Sequence, residues 1–360
     1  MNININKILF IVWLLSLTLY NSTHTFVRLF CVLYFTAYPF FLLFLVKKLF
    51  VYKRQFLLFF FSFLWFFYFI IWFVINIKNI SFDLSGPNVE MFTPILFMVN
   101  VFALPIINNL RSDFIKSSVF YFINFYVLFL LIECFLRYIL EPVCFLNYSC
   151  RFEAKTVGYF STTNALATSL IVVLTSLIIS KANHLRKLFF YLILFTSMAR
   201  AAIISQVLNH LYYIIINSSR KLKYFLLLLI LFSISSLMYL DPLGLMSDGS
   251  LLSKLDFINS AYNRVYNSSL EQLTFGYGSN FQSIVAVVGV NDWSPHLPFL
   301  KAFFYFGFIG LFLYFFSFIS ILYLEKKIWV VCLTYFICSL AGAPIYFPTF
   351  LVSYVILRYS

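Results

Sequence analysis

Polar residues are so sparse along this chain that they act as punctuation. Apolar runs fill the intervals, as in QFLLFFFSFLWFFYFIIWFVINI (55–77), without the period-two alternation of a half-buried strand. Runs this long and continuous predict membrane-spanning helices, because lipid leaves the backbone no hydrogen-bond partner but itself. A transmembrane barrel would instead show alternating segments of about ten residues. Spans are predicted near 8–20, 27–46, 56–77, 92–108, 117–140, 160–180, 224–240, 297–323, 328–341 and 345–357. No A-x-A-like cleavage site follows the first run, so it is expected to remain as a span rather than leave as a signal peptide.

Basic clusters separate these runs: KK at 47–48 with KR at 53–54, Arg111 and Lys116, KANHLRK (181–187), RKLK (220–223) and KK at 326–327. Placing all of them on the cytoplasmic side gives a consistent path. The run 188–216, LFFYLILFTSMARAAIISQVLNHLYYIII, then decides the topology, because both of its flanks are basic. As one straight helix it would be about 43 Å long, against a hydrocarbon core of about 30 Å. A single tilted span would also carry RKLK outside. Two short helices meeting near SMARAA keep both basic clusters inside. Residues 1–360 then read as one all-α, polytopic membrane domain of about twelve spans, with both termini cytoplasmic. A large outer loop covers 241–296 and a smaller one covers 141–158.

Composition agrees with this reading. The chain is 63% hydrophobic and 10% charged, with mean hydropathy +0.95. A soluble domain carries about 25% charged residues. The net charge of +13 does not point to nucleic acid. Sixteen of the 25 Lys and Arg fall inside on this path, and nine of the 12 acids fall in outer loops. Cys31, Cys134, Cys332 and Cys338 lie in spans and read as packing residues. Cys144 and Cys150 share the 141–158 loop, where a local disulfide is open.

Nine basic residues are left over by the positive-inside rule: Arg28, Lys78, Arg137, Arg151, Lys155, Arg200, Lys254, Arg264 and Lys301. Glu133 precedes Arg137 by one turn, a favourable order for a structural ion pair. Arg200 and Arg264 have no acid within four residues. Arginine stays charged in apolar surroundings, and its planar fork of donors suits phosphate. Arg151, Arg200 and Arg264 near one face would make a phosphate or pyrophosphate site; pairing with distant outer-loop acids is the structural alternative. His296 ends the long loop just before a span, where it serves either as an interface residue or in proton transfer. No P-loop, G-x-S-x-G, H-E-x-x-H, Cys/His zinc spacing or Asp-x-Asp occurs. Neither a metal nor a nucleotide cofactor is therefore expected.

The order of motifs resembles one family. Arg151 stands seven residues before Gly158, and GYFSTTNALA, with Asn164, opens a span. LFTSMARAAII follows, then a long loop with NRVYNSSLEQLTFGYGSN, then HLPFLKAFFYFGFIGLFLYF. Over residues 137 to 320 this is similar to the O-antigen polymerase and ligase superfamily of bacterial cell-envelope biosynthesis. That pattern has G-F-x-x-x-N before a span, T-x-S-R in a short-helix hairpin, R-x-x-x-W and G-x-G in the large loop, and H-N-x-x-L followed by G-x-x-G, here Gly307 and Gly310, at the next span. Met198 and Ala199 separate Ser197 from Arg200, Leu297 replaces the Asn, and Asn267 stands near the Trp position.

The resemblance implies metal-independent glycosyl transfer on the periplasmic face of the bacterial inner membrane. The donor would be an oligosaccharide on undecaprenyl pyrophosphate. The implied catalytic residues are Arg200, Arg264 and His296. Arg151, Asn164, Gly276, Gly278, Arg137 and Lys301 would bind substrate. The bilayer is a partner, no nucleic acid is, and a chain-length regulator is a conceivable further one. An O-antigen polymerase is the expected activity. The alternatives are a ligase or other surface-polysaccharide polymerase and, in another class, a flippase for the same lipid-linked units.

Overall fold

The computed structural model describes residues 5–20, 25–43, 53–76, 92–140, 163–180, 184–196, 200–217, 259, 261–278, 298–324, 327–339 and 349–359. Among them there is no strand. The main helices are α1 (Ile5–Leu19), α2 (Thr25–Leu43), α3 (Lys53–Asn76), α4 (Thr93–Asn109), α5 (Ser112–Leu140), α6 (Thr163–Ile179), α7 (His184–Thr196), α8 (Arg200–Asn217), α9 (Leu270–Phe275), α10 (Pro298–Leu322), α11 (Ile328–Ser339) and α12 (Thr349–Tyr359). Each apolar run predicted as a span and described here is helical. The predicted span 224–240, the loop 141–158 with Cys144 and Cys150, and most of 241–296 lie outside the described residues.

Among the described residues, three segments are long and apolar enough to cross a membrane: Gln55–Asn76, Ser112–Leu136 and Phe299–Ile321. The helices stay apolar on the side that faces away from the protein; Phe56, Val74 and Phe135 are each about two-thirds exposed. A helix apolar all round belongs in a large core or in lipid. The inner faces meet in one aromatic core that fully buries Trp13, Trp65, Trp72, Tyr126 and Tyr305. Cys31, Cys134, Cys332 and Cys338 are all buried, the last three within that core, as packing residues should be.

The ring contacts fix the helix directions. Phe10 meets Phe114, Trp65 meets Phe97, and Phe61 meets Phe316. The starts of α1, α3 and α5 and the end of α10 therefore share one end of the bundle. Lys7, Lys53, Arg54, Arg111, Lys116 and Lys327 belong to that end, and the Arg186 guanidinium sits 4.2 Å from the Phe120 ring centre nearby. Among the described residues, these members of the basic clusters thus gather at one end of the helices.

The run 188–216 is two helices, α7 and α8, rather than one tilted span. They lie side by side: the Tyr191 hydroxyl and His210 Nε2 are 2.5 Å apart and their rings stack. At 13 residues, α7 is about 20 Å long, too short to cross a bilayer.

Candidate functional site

Among the described residues, two features interrupt the helical pattern, and some of the sequence-predicted residues lie at them. The first lies in α10. Gly307 has φ 68° and ψ −169°, so the helix breaks there into two halves. A break leaves carbonyls without their i+4 donors, and buried carbonyls need replacements. Three are supplied. The Tyr277 backbone N–H donates to Phe304 O at 2.8 Å. Trp72 Nε1 donates to Tyr305 O at 2.8 Å. The Tyr68 hydroxyl donates to Phe306 O at 2.5 Å, with Thr274 O 3.5 Å away.

The partner of this break is the Gly276 turn. Ser269 and Gln272 form a capping box that starts α9, and Gly276 ends it with φ 83°. The positive φ values of Gly276 and Gly307 are ones that only glycine adopts cheaply. Contact reinforces that requirement: a Cβ on Gly276 would stand 2.4 Å from Tyr305 O, and one on Gly307 2.2 Å from Thr274 O. The two backbones touch, so the segment 261–278 is fastened to α10 main chain to main chain. Gly278 follows, with its α-carbon facing the Asn76 side chain at the end of α3.

Arg264 is carried on this fastened segment. Its guanidinium lies 5.9 Å from the Tyr277 ring centre. The Tyr277 hydroxyl pairs with Ser268 Oγ, which donates to Arg264 O at 2.5 Å. One residue, Tyr277, therefore links the Arg264 guanidinium, its own turn and the broken helix. Lys301 lies three residues before Phe304 on the first half of α10 and is buried. Phe304 in turn packs on the Tyr277 ring, centroids 5.7 Å apart.

The second feature is the α7–α8 hairpin. Four residues separate α6 from α7 and three separate α7 from α8, so α6 and α8 run parallel. Thr175 Oγ1 donates to Gln206 Oε1 at 3.3 Å. Arg200 stands six residues before Gln206, and Ser169 six before Thr175. The backbone of Arg200 is therefore level with Ser169, about 9 Å below the start of α6 at 1.5 Å per residue. Ser169 is itself 2.7 Å from the Tyr126 hydroxyl, at the middle of the 29-residue α5. Tyr126 lies about 21 Å, and Tyr68 about 22 Å, from the basic ends of α5 and α3. The Arg200 turn and the Gly276–Gly307 junction thus occur at similar depth in the bundle.

Other predicted site residues are only partly described. Arg200 opens α8, Asn164 lies in the first turn of α6, and Arg137 lies one turn after the buried Glu133 on α5; the side chains of these three are outside the described residues. Arg151 and His296 lie outside them entirely. The structure brings together Arg264, Gly276, Gly278 and the Lys301 half-helix. Sequence reasoning missed the residues that hold them: Tyr68, Trp72 and Gly307. It also missed the Tyr191–His210 pair and the buried amides of Gln206 and Asn209. Only the short spacing of Gly307 and Gly310 in an apolar run hinted at any of this.

The chain matches no protein-family model, no curated protein and no solved structure.

Proposed function

We propose that the protein is a membrane glycosyltransferase, a polymerase that joins oligosaccharide repeat units carried on undecaprenyl pyrophosphate. One observation carries the reading. An arginine-bearing loop segment is bolted at depth to a broken, otherwise apolar helix that also carries a buried lysine. Irregular backbone among membrane-length helices is tolerated only where protein buries it or a polar cavity meets it. Cations held there suit a leaving group that is both lipid-anchored and doubly phosphorylated.

With the basic end in the cytoplasm, as the positive-inside rule has it, the junction falls in the periplasmic half of an inner-membrane protein of about twelve spans. The acceptor hydroxyl oxygen would attack the anomeric carbon of the donor. The bond from that carbon to the pyrophosphate oxygen would break, and the lipid pyrophosphate would leave with the electron pair. Arg200, Arg264 and Arg151 would stabilise its charge. His296 or Asp292 would take the hydroxyl proton. Arg137, Lys301, Asn164, Gly276 and Gly278 would hold substrate. The motif order from Arg151 to Lys301 supports this assignment by its resemblance to the polymerase and ligase superfamily.

A flippase for the same lipid-linked units is the second reading. The break at Gly307 favours it, because transporters build mid-membrane sites from discontinuous helices. The test is a lipopolysaccharide gel from a strain lacking the gene. Collapse of the ladder to core plus a single repeat unit identifies the polymerase. Loss of every repeat unit points to the ligase or the flippase, and the membrane side on which lipid-linked units accumulate separates those two. Arg264→Ala and Arg200→Ala, at normal protein level, are each expected to shorten or abolish the ladder; full-length polymer from both would remove the arginines from the mechanism.

A further inference from the structure

The segment that carries Arg264 has a second face. Tyr262 and Tyr266 stand one helical turn apart and are 69% and 80% exposed. Asn263 and Asn267 are exposed beside them, and Leu270 and Glu271 are exposed on the short helix that follows. The opposite side is fixed, because Ala261 and Tyr277 are buried; within the strip, Asn267 Nδ2 donates to Asn263 O at 2.9 Å. Two bare rings on a fastened backbone form a preorganised surface, which loses little entropy when it binds.

The chemistry of the strip selects its ligand. Aromatic faces are electron-rich and attract the electropositive C–H edges of a sugar ring. Amide and carboxylate groups pair with hydroxyls. Two rings at i and i+4 are about 5–6 Å apart at Cβ, comparable to one sugar step along a glycan. Tyrosines also gather at membrane interfaces, but the charge here argues against a headgroup. Arg264 is the sole cation between 261 and 278, and it is turned to the Tyr277 ring. The short helix that follows carries the exposed Glu271 instead, which repels anionic phosphate.

We propose that Tyr262 and Tyr266, flanked by Asn263, Asn267 and Glu271, form a docking strip for a neutral stretch of glycan. The proposal rests on the polymerase reading and names where the growing chain is held, beside the Arg264 site rather than in it.

The experiment uses the purified full-length protein in nanodiscs of zwitterionic lipid. The probe is the host strain's own surface polysaccharide, released from its lipid. Replacing both tyrosines by Leu keeps apolar bulk and removes the rings, and is expected to weaken binding about fivefold to tenfold. Replacing both by Trp keeps the rings and is expected to leave binding intact. Thermal unfolding of each variant checks that it is folded. No binding by the wild-type protein, or equal binding by the Leu pair, overturns the strip. Binding lost only with an Ala pair means the rings act as apolar anchors, which also overturns it. The ladder of the deletion strain is scored separately, so failure of the polymerase reading is seen independently of this result.

Discussion

The α7–α8 hairpin and the Gly276–Gly307 junction interrupt the bundle at similar depth, but they are held by different means. At the hairpin, side chains meet: Thr175 with Gln206, and Tyr191 with His210. Its polar groups are incompletely matched. Gln206 Nε2 and both amide atoms of Asn209 are buried with no hydrogen-bond partner of regular geometry among the described residues, although Gln206 does lie beside the Tyr191 phenol. At the junction, backbones meet directly and three freed carbonyls receive donors. Side-chain contacts tolerate substitution because a neighbour can turn away. Backbone contacts do not, because any Cβ lands on an atom that has nowhere to go.

That contrast can be broken by mutation, starting where the effect should be largest. Gly307→Ala puts a carbon 2.2 Å from Thr274 O at a φ of 68°. The backbone state alone costs about 1–3 kcal/mol, and the overlap adds to it. Undocking of the loop should appear as protease cleavage within 261–278 and as loss of the polymer ladder. A protected loop in this variant would mean that the junction yields as easily as the hairpin.

Trp72→Phe should come next. It leaves Tyr305 O without its donor in a buried setting, at about 1–3 kcal/mol. A clear drop in the thermal unfolding midpoint in detergent is expected. At the hairpin, Asn209→Leu should instead be neutral or stabilising by about 1 kcal/mol, since it removes buried amide atoms that have gained little. A marked loss of stability would show that the amide does have a partner. Tyr191→Phe should be the smallest effect, within about 1 kcal/mol, because the pair with His210 is largely exposed.

The hairpin was legible in the sequence and the junction was not. Basic residues on both flanks of 188–216, and a length beyond one crossing, are local facts that imply a turn. At Gly307 only its spacing to Gly310 stands out locally, and that spacing does not say that the helix breaks. The stretch HLPFLKAFFYFGFIGLFLYF reads as one continuous span near 297–323, and glycine is common in membrane helices. The break depends on Gly276, 31 residues earlier, and on Tyr68 and Trp72, more than 230 residues earlier. Such pairings leave no periodic trace. For the same reason the neighbours of Gly276 and Gly278 were not legible: the structure sets one against the α10 backbone and the other against Asn76. Arg264 was found by its lack of nearby acids, and its Tyr277 partner was not, because the turn that returns Tyr277 to it is tertiary.

The reach from α3 to α10 also sets a timetable. With α3 as a membrane span, the Tyr68 hydroxyl and the Trp72 indole would enter the bilayer long before the carbonyls they serve, 238 and 233 residues downstream, exist. At about 5–20 residues per second, that interval is on the order of ten to fifty seconds. Throughout it, two donors on a nascent span have no final acceptor. The newborn chain therefore has reason to stay beside the insertion machinery until α10 arrives. Chains stopped short of Gly307 should be prime substrates for membrane quality control.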